Sequence, residues 1–152
     1  MNTLQLDLGT TTGWAITPSA GAIVSGVWKN KPSGGGFEGG GMRYVRFRRH
    51  LDELHAVTPI GEVYFEEVRR HRGTDASHAY GGFLATLTAW CEERQIPYQG
   101  VGVGKIKKHV TGRGNADKDA VIAAVRTLGY DVADDNEADA IALSLLVRDG
   151  GL

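Results

Sequence analysis

"LQLDLGTTTGWA", residues Leu4 to Ala15, decides how the rest of the chain is read. Leu4, Leu6 and Leu8 alternate with Gln5, Asp7 and Gly9, the period of two that a half-buried strand imposes. A carboxylate is a poor strand former and is costly to bury without a partner. Asp7 therefore needs either the Thr10 to Thr12 turn as a hydrogen-bond partner or a charge brought from elsewhere in the fold. The turn from Gly9 to Thr12 is too short for a helical crossover, so Gly13 to Thr17 is predicted to return antiparallel as a second strand. After a turn at Pro18 to Gly21, Ala22 to Trp28 fits a third strand and completes a meander.

The next stretch, "KPSGGGFEGGGMRY", holds six glycines from Gly34 to Gly41 and reads as a mobile loop that packs no core. Phe37 and Tyr44 flank this basic segment, either as aromatics that stack on unpaired bases or as plain loop packing. Met42 to Val57 is predicted helical, with Val45, Leu51 and Leu54 inward and arginines outward, and Pro59 ends it. "EVYFEEV", Glu62 to Val68, is the fourth strand, with Val63 and Phe65 on one face and Tyr64 and Glu66 on the other. Thr74 or Asp75 caps a helix whose Ala76, Tyr80, Phe83, Leu84, Leu87 and Cys91 recur at helical spacing up to Arg94. Ile96 to Val101 is then a fifth strand, parallel to the fourth because a helix joins them.

"GKIKKHVTGRGNADKDAVIAAVRTLGY" contains a short basic turn, a glycine-flanked loop and a helix. Asn115 is the expected N-cap, Asp117 suits the helix dipole, Gly129 ends the helix, and Val121, Ile122, Val125 and Leu128 form its buried face. The last helix runs from about Asn136 to Val147. Three antiparallel strands followed by two parallel ones make an α/β architecture: a mixed five-stranded sheet flanked by helices, expected as one domain over 1–152.

The net charge of -1, from 17 basic and 18 acidic residues, argues against a nucleic-acid partner only if its distribution is ignored. Basic residues bunch at Arg43, Arg46, Arg48 and Arg49, at Arg69, Arg70 and Arg72, and at Lys105, Lys107 and Lys108 with Arg113 and Lys118 beyond. Acids bunch at Asp134, Asp135, Glu137 and Asp139. Cys91 is the only cysteine, which excludes an internal disulfide, and no Cys and His spacing suggests zinc. With no membrane-length apolar run and no signal-peptide order at the N-terminus, a cytoplasmic protein without a membrane partner is expected.

Three carboxylates stand out by position. Asp7 lies on the expected central strand, Glu66 on the strand beside it, and Asp139 on an apolar stripe of the last helix with Asp135, Asn136, Leu143 and Leu146. Each has a plain alternative: a turn hydrogen bond for Asp7, an exposed strand end for Glu66 with Glu67 equally placed, and a dipole role for Asp139. Asp134, Asp135 and Glu137 read as first-turn dipole charges. Converging carboxylates raise one another's pKa unless a cation intervenes, and Mg²⁺ is the natural neutraliser.

"LDLGTTTGWA", "YFEEV", "KKHVTGRGNADKDAV" and "NEADAIAL", in this order and spacing, resemble the RuvC-type Holliday junction resolvases, particularly their compact phage and prophage members. The resemblance covers about Leu4 to Leu146. It implies a ribonuclease-H-like fold and a homodimeric, Mg²⁺-dependent endonuclease that cuts four-way DNA junctions with two ions, Mn²⁺ substituting. It implies catalytic, metal-binding roles for Asp7, Glu66 (rather than Glu67) and Asp139, with Asn136 standing where relatives carry Asp or His. Asp135 is the alternative fourth ligand. Lys107 and Lys118 match basic residues around the scissile phosphate, Lys118 counted with the catalytic set. Arg69, Arg70, Arg72, Lys105, Lys108 and Arg113 complete the expected DNA-binding set, and the apolar face of the helix from Ala76 to Cys91 is the candidate dimer surface.

Three rival readings remain open at this level. An actin- or sugar-kinase-type phosphotransferase shares the "DLGTTTG" pattern, but such enzymes need a second similar domain and phosphate loop, so no nucleotide cofactor is expected. A non-catalytic junction-binding protein and a broader branched-DNA nuclease are the others.

Overall fold

The alternation of Leu4, Leu6 and Leu8 with polar residues sends the two sides of one strand into two different cores, and the architecture follows from that. The computed structural model describes every residue except Arg72. In chain order the elements are β1 (Asn2–Asp7), β2 (Thr11–Thr17), β3 (Val24–Lys29), α1 (Met42–Val57), β4 (Ile60–Glu67), α2 (Thr74–Glu93), β5 (Tyr98–Gly102), α3 (Val103–Thr111), α4 (Lys118–Thr127) and α5 (Asp135–Arg148). The sheet order is β3-β2-β1-β4-β5, antiparallel from β3 to β1 and parallel from β1 to β5. This is the mixed five-stranded sheet expected from the loop lengths.

Leu4, Leu6, Leu8, Val63 and Phe65 pack with Phe47 and Leu51 of α1 and Phe83, Leu87 and Trp90 of α2 on one face of the sheet. Ala15 and Val101 pack with Ile106 of α3, Val121 and Val125 of α4, and Ile141 and Leu145 of α5 on the other. Helix α5 spans this second face, touching β1, β2, β3 and β4. Nine of its fourteen residues are buried, so it carries no simple amphipathic stripe. Gln5 is fully buried beneath it yet satisfied: it donates to Thr3 Oγ1 at 2.7 Å and accepts from Thr17 Oγ1 at 3.1 Å, and Thr17 also bonds Ser144 of α5.

The approach of α5 depends on one glycine. A Cβ on Gly13 would stand 1.8 Å from the backbone oxygen of Asn136. Gly13 is also the residue that pairs with Asp7 across the β1–β2 ladder. The start of α5 therefore rests on the sheet directly beside Asp7.

Several local expectations are corrected. The basic turn after β5 is the helix α3, because Ile106 is buried and Val110 packs partly into the second core, one turn apart. Gly112, at φ +83, ends it in the left-handed region that glycine tolerates. Asp117, not Asn115, caps α4, accepting the Ala120 N–H at 2.8 Å. Leu128 sits at the C-cap of α4 and is 58% exposed. In α1, Phe47 takes the inward position and Val45 is exposed. Ala76 is exposed in the first turn of α2, and Trp90 joins that helix's buried face with its indole donating to Asp52 at 2.8 Å.

Gly13→Ala is expected to lower unfolding stability by about 1–3 kcal/mol, the usual cost of overpacking against backbone that cannot yield. Urea denaturation of the two proteins measures it, and an unchanged midpoint would refute the close approach.

Candidate metal centre and nucleic-acid interface

The rung joining Leu6 to Phe65 puts the next residues, Asp7 and Glu66, at the carboxyl ends of neighbouring parallel strands. Leu6 and Phe65 belong to the α1–α2 core, so period two turns both acids toward α5. The start of α5 lies over Gly13, and Asp139, one helical turn after Asn136, descends onto the same place. Asp7, Glu66 and Asp139 each present a carboxylate oxygen, all within 4.8 Å of one another.

The first turn of α5 is anchored on both sides. Asp134 caps it by accepting the Glu137 N–H at 2.9 Å. Glu137 in turn accepts the Ala133 N–H at 2.8 Å and the Ser25 hydroxyl at 2.7 Å. Expected as a first-turn dipole charge, Glu137 stands in the first turn of α5 but is only 7% exposed and also ties α5 to β3. Its partner is 112 residues away, so no local signal reveals the role. Asn136 donates its side-chain amide to Asp134 Oδ2 at 3.2 Å.

The carboxylates strain against one another electrostatically. Burial first, then the charges of Glu66 and Asp139, hold the Asp7 carboxyl well above its ordinary value. Burial, then Glu66 and Asp135, push Asp139 up to about 7. Burial also raises Glu66, against the opposing pull of Lys107. Half-buried acids forced together with oxygen donors only are a fit for a hard divalent cation, which would relieve both the repulsion and the desolvation.

Lys107 and Lys118 stand near these acids, and further basic residues are exposed. Lys107 projects from α3 near enough to favour ionisation of both Glu66 and Asp139. Lys118, at the start of α4, lies 3.4 Å from Asp135 with most of its side chain exposed. Asp135 acts on Asp7 and Asp139, so a fourth acidic charge is within reach of the cluster. Arg69 and Arg70 are exposed just past β4 and line a cleft of about 440 Å³ with Gly102, Val103 and Gly104. Arg69 also lies 3.5 Å from Glu67. Lys105 and Lys108 are exposed on α3, and Arg113 is exposed beyond Gly112. Arg72 lies outside the described residues.

Two aromatic expectations separate. Phe37 is fully exposed, whereas Tyr44 packs edge-on against Phe83 at 5.0 Å and so serves the core. On the apolar face of α2, Phe83, Leu87 and Cys91 are fully buried within this chain, whereas Tyr80 and Leu84 are partly exposed and Ala76 is exposed. Tyr80, predicted only as a helical core position, bonds the backbone of β4 beside Glu66. Helical spacing of an aromatic residue carries no sign of that contact.

Strand order, the placement of the helices on both faces and the acids at the strand ends define a ribonuclease-H-like fold. Among solved structures, the chain is similar to Thermus thermophilus RuvC in complex with Holliday junction substrate, at TM-score 0.78 and 24% identity, covering 99% of this chain and 96% of that one. It is similar to Thermus thermophilus RuvC in a second structure at TM-score 0.72 and 25% identity, covering 99% and 97%. It is also similar to the yeast mitochondrial Holliday junction resolvase, at TM-score 0.57 and 12% identity, covering 93% and 76%. No protein-family model and no curated protein matches the sequence.

The raised acids have a stability consequence without metal. A carboxyl raised from 3.8 to about 7 binds more protons folded than unfolded between those values, so stability falls as pH rises through that window. In metal chelator, Asp139→Asn is expected to melt above wild type at about pH 8 and to lose that advantage near pH 4. Thermal melts across this range check it, and a pH-independent difference would refute the convergence.

Proposed function

We propose that the protein is a divalent-metal-dependent, structure-selective DNA endonuclease that resolves four-way junctions by paired, symmetric nicks, with 1–152 as its nuclease domain. The observation that carries this reading is the convergence of Asp7, Glu66 and Asp139 within 4.8 Å at the ends of β1 and β4. The fold around it is similar to that of RuvC bound to a Holliday junction.

Asp7, Glu66 and Asp139 would hold two Mg²⁺ ions, with Mn²⁺ as the substitute. Asn136 or Asp135 is the fourth ligand, and the influence of Asp135 on both Asp7 and Asp139 favours Asp135. Bound ions of this kind activate water and stabilise the leaving oxygen of a phosphodiester. The chain's own part is to orient and to bind. The Glu137 brackets and the Gly13 contact hold Asp139 over β1. Lys107, near Glu66, and Lys118, 3.4 Å from Asp135, would contact the phosphate. Arg69, Arg70, Lys105, Lys108 and Arg113 supply the exposed charge that positions a DNA backbone without reading its sequence.

Paired nicks on strands of like polarity need two sites related by two-fold symmetry, so a homodimer follows from the proposed reaction. A broader branched-DNA nuclease is the second reading, because exposed arginines and lysines recognise phosphate whatever the branch.

With Mg²⁺, the purified protein is expected to nick a synthetic four-way junction symmetrically near the branch point. Asp7→Asn should bind the junction and cut it at least about 100-fold more slowly, since it removes a ligand from the reacting centre. Equal cutting of linear duplex would overturn junction resolution but keep the nuclease. Junction binding with no cutting under any divalent ion would overturn the enzymatic reading.

A further inference from the structure

The last rung between β1 and β4 joins Leu6 to Phe65, whereas β4 stays paired with β5 as far as Glu67. Glu66 is thus the first β4 residue beyond its β1 partner, and it must aim its carboxylate at Asp7. The residue after it, Glu67, carries a second carboxylate that alternation turns to the opposite face. A one-residue slip in the register of this strand end would exchange one acid for the other.

A side chain from α2 takes over where β1 stops. The Tyr80 hydroxyl donates to the Glu66 carbonyl at 2.9 Å and accepts the Val68 N–H at 3.2 Å. One oxygen therefore ties both ends of the span from Glu66 to Val68, as a neighbouring strand would. The ring that carries it packs against the α1–α2 core and lies 4.9 Å from the ring of His71. A phenol both donates and accepts at a fixed distance from a rigid ring, so phenylalanine would leave a half-buried carbonyl and N–H without these partners.

We propose that Tyr80 is a positioning residue for Glu66: its hydroxyl fixes the backbone around that carboxylate and thereby sets the divalent-cation affinity of the acidic cluster. The inference rests on the metal-centre reading above and deepens it. It gives α2, a helix with no ligand of its own, direct mechanical contact with the centre.

The test is Tyr80→Phe, read by calorimetric titration of Mn²⁺ into protein without DNA. The dissociation constant is expected to rise about three- to tenfold, the scale of one net hydrogen bond. Junction binding in chelator should stay at the wild-type level, and saturating Mn²⁺ should restore the nicking rate. In a Glu66→Gln background, Tyr80→Phe should weaken Mn²⁺ binding no further, because the effect passes through Glu66. Equal weakening in that background would mean general loosening and overturn the proposal. Wild-type affinity in Tyr80→Phe would overturn the clamp alone, whereas a wild-type protein that binds no Mn²⁺ would overturn the metal centre and the clamp with it. Should Tyr80→Phe fail to fold, hydrogen exchange of the Val68 amide in wild type decides: the clamp requires protection, and exchange at the rate of an open loop refutes it.

Discussion

Three carboxylates that repel one another are held together, and the fold is organised around sustaining that. The shift of Asp139 from 3.8 to about 7 corresponds to roughly 4 kcal/mol of opposition to its charged form. Ile141, Leu143, Leu145 and Leu146 of the same helix are buried. Each contributes about 1.5–3 kcal/mol by leaving water. Apolar burial along α5 therefore offsets the opposition to the charge of Asp139.

The direction of the elements eases the same conflict. The acids gather at the carboxyl ends of β1 and β4 and in the first turns of α5, where the helix dipole presents partial positive charge. Asp134 and Glu137 satisfy the backbone donors at that terminus and its approach, and the Ser25 bond fixes the helix laterally. Lys107 opposes the rise of Glu66 and Asp139, and Lys118 lies 3.4 Å from Asp135.

The charge of the whole chain is nearly balanced, yet its placement is polarised. Acids gather at the strand ends, while Arg69, Arg70, Lys105, Lys108 and Arg113 are exposed. Exposed basic side chains attract a polyanion, and clustered carboxylates repel it until a cation intervenes.

Alternation in "LQLDL" and "EVYFEEV" already placed Asp7 and Glu66 on one face, because a strand's period of two is a local consequence of backbone sterics. Loop lengths likewise settled that β2 returns antiparallel to β1 and that β5 runs parallel to β4. The bond of Glu137 to Ser25, the seat of α5 on Gly13 and the reach of Tyr80 to the backbone at Glu66 were not legible. Each of these joins separate segments of the chain through a single side chain or its absence, and periodicity carries no record of such partners. Period and connection length are properties of neighbouring residues. The meeting of helix faces is settled by the packing of the whole core, and that packing brings Asp139 down onto the sheet.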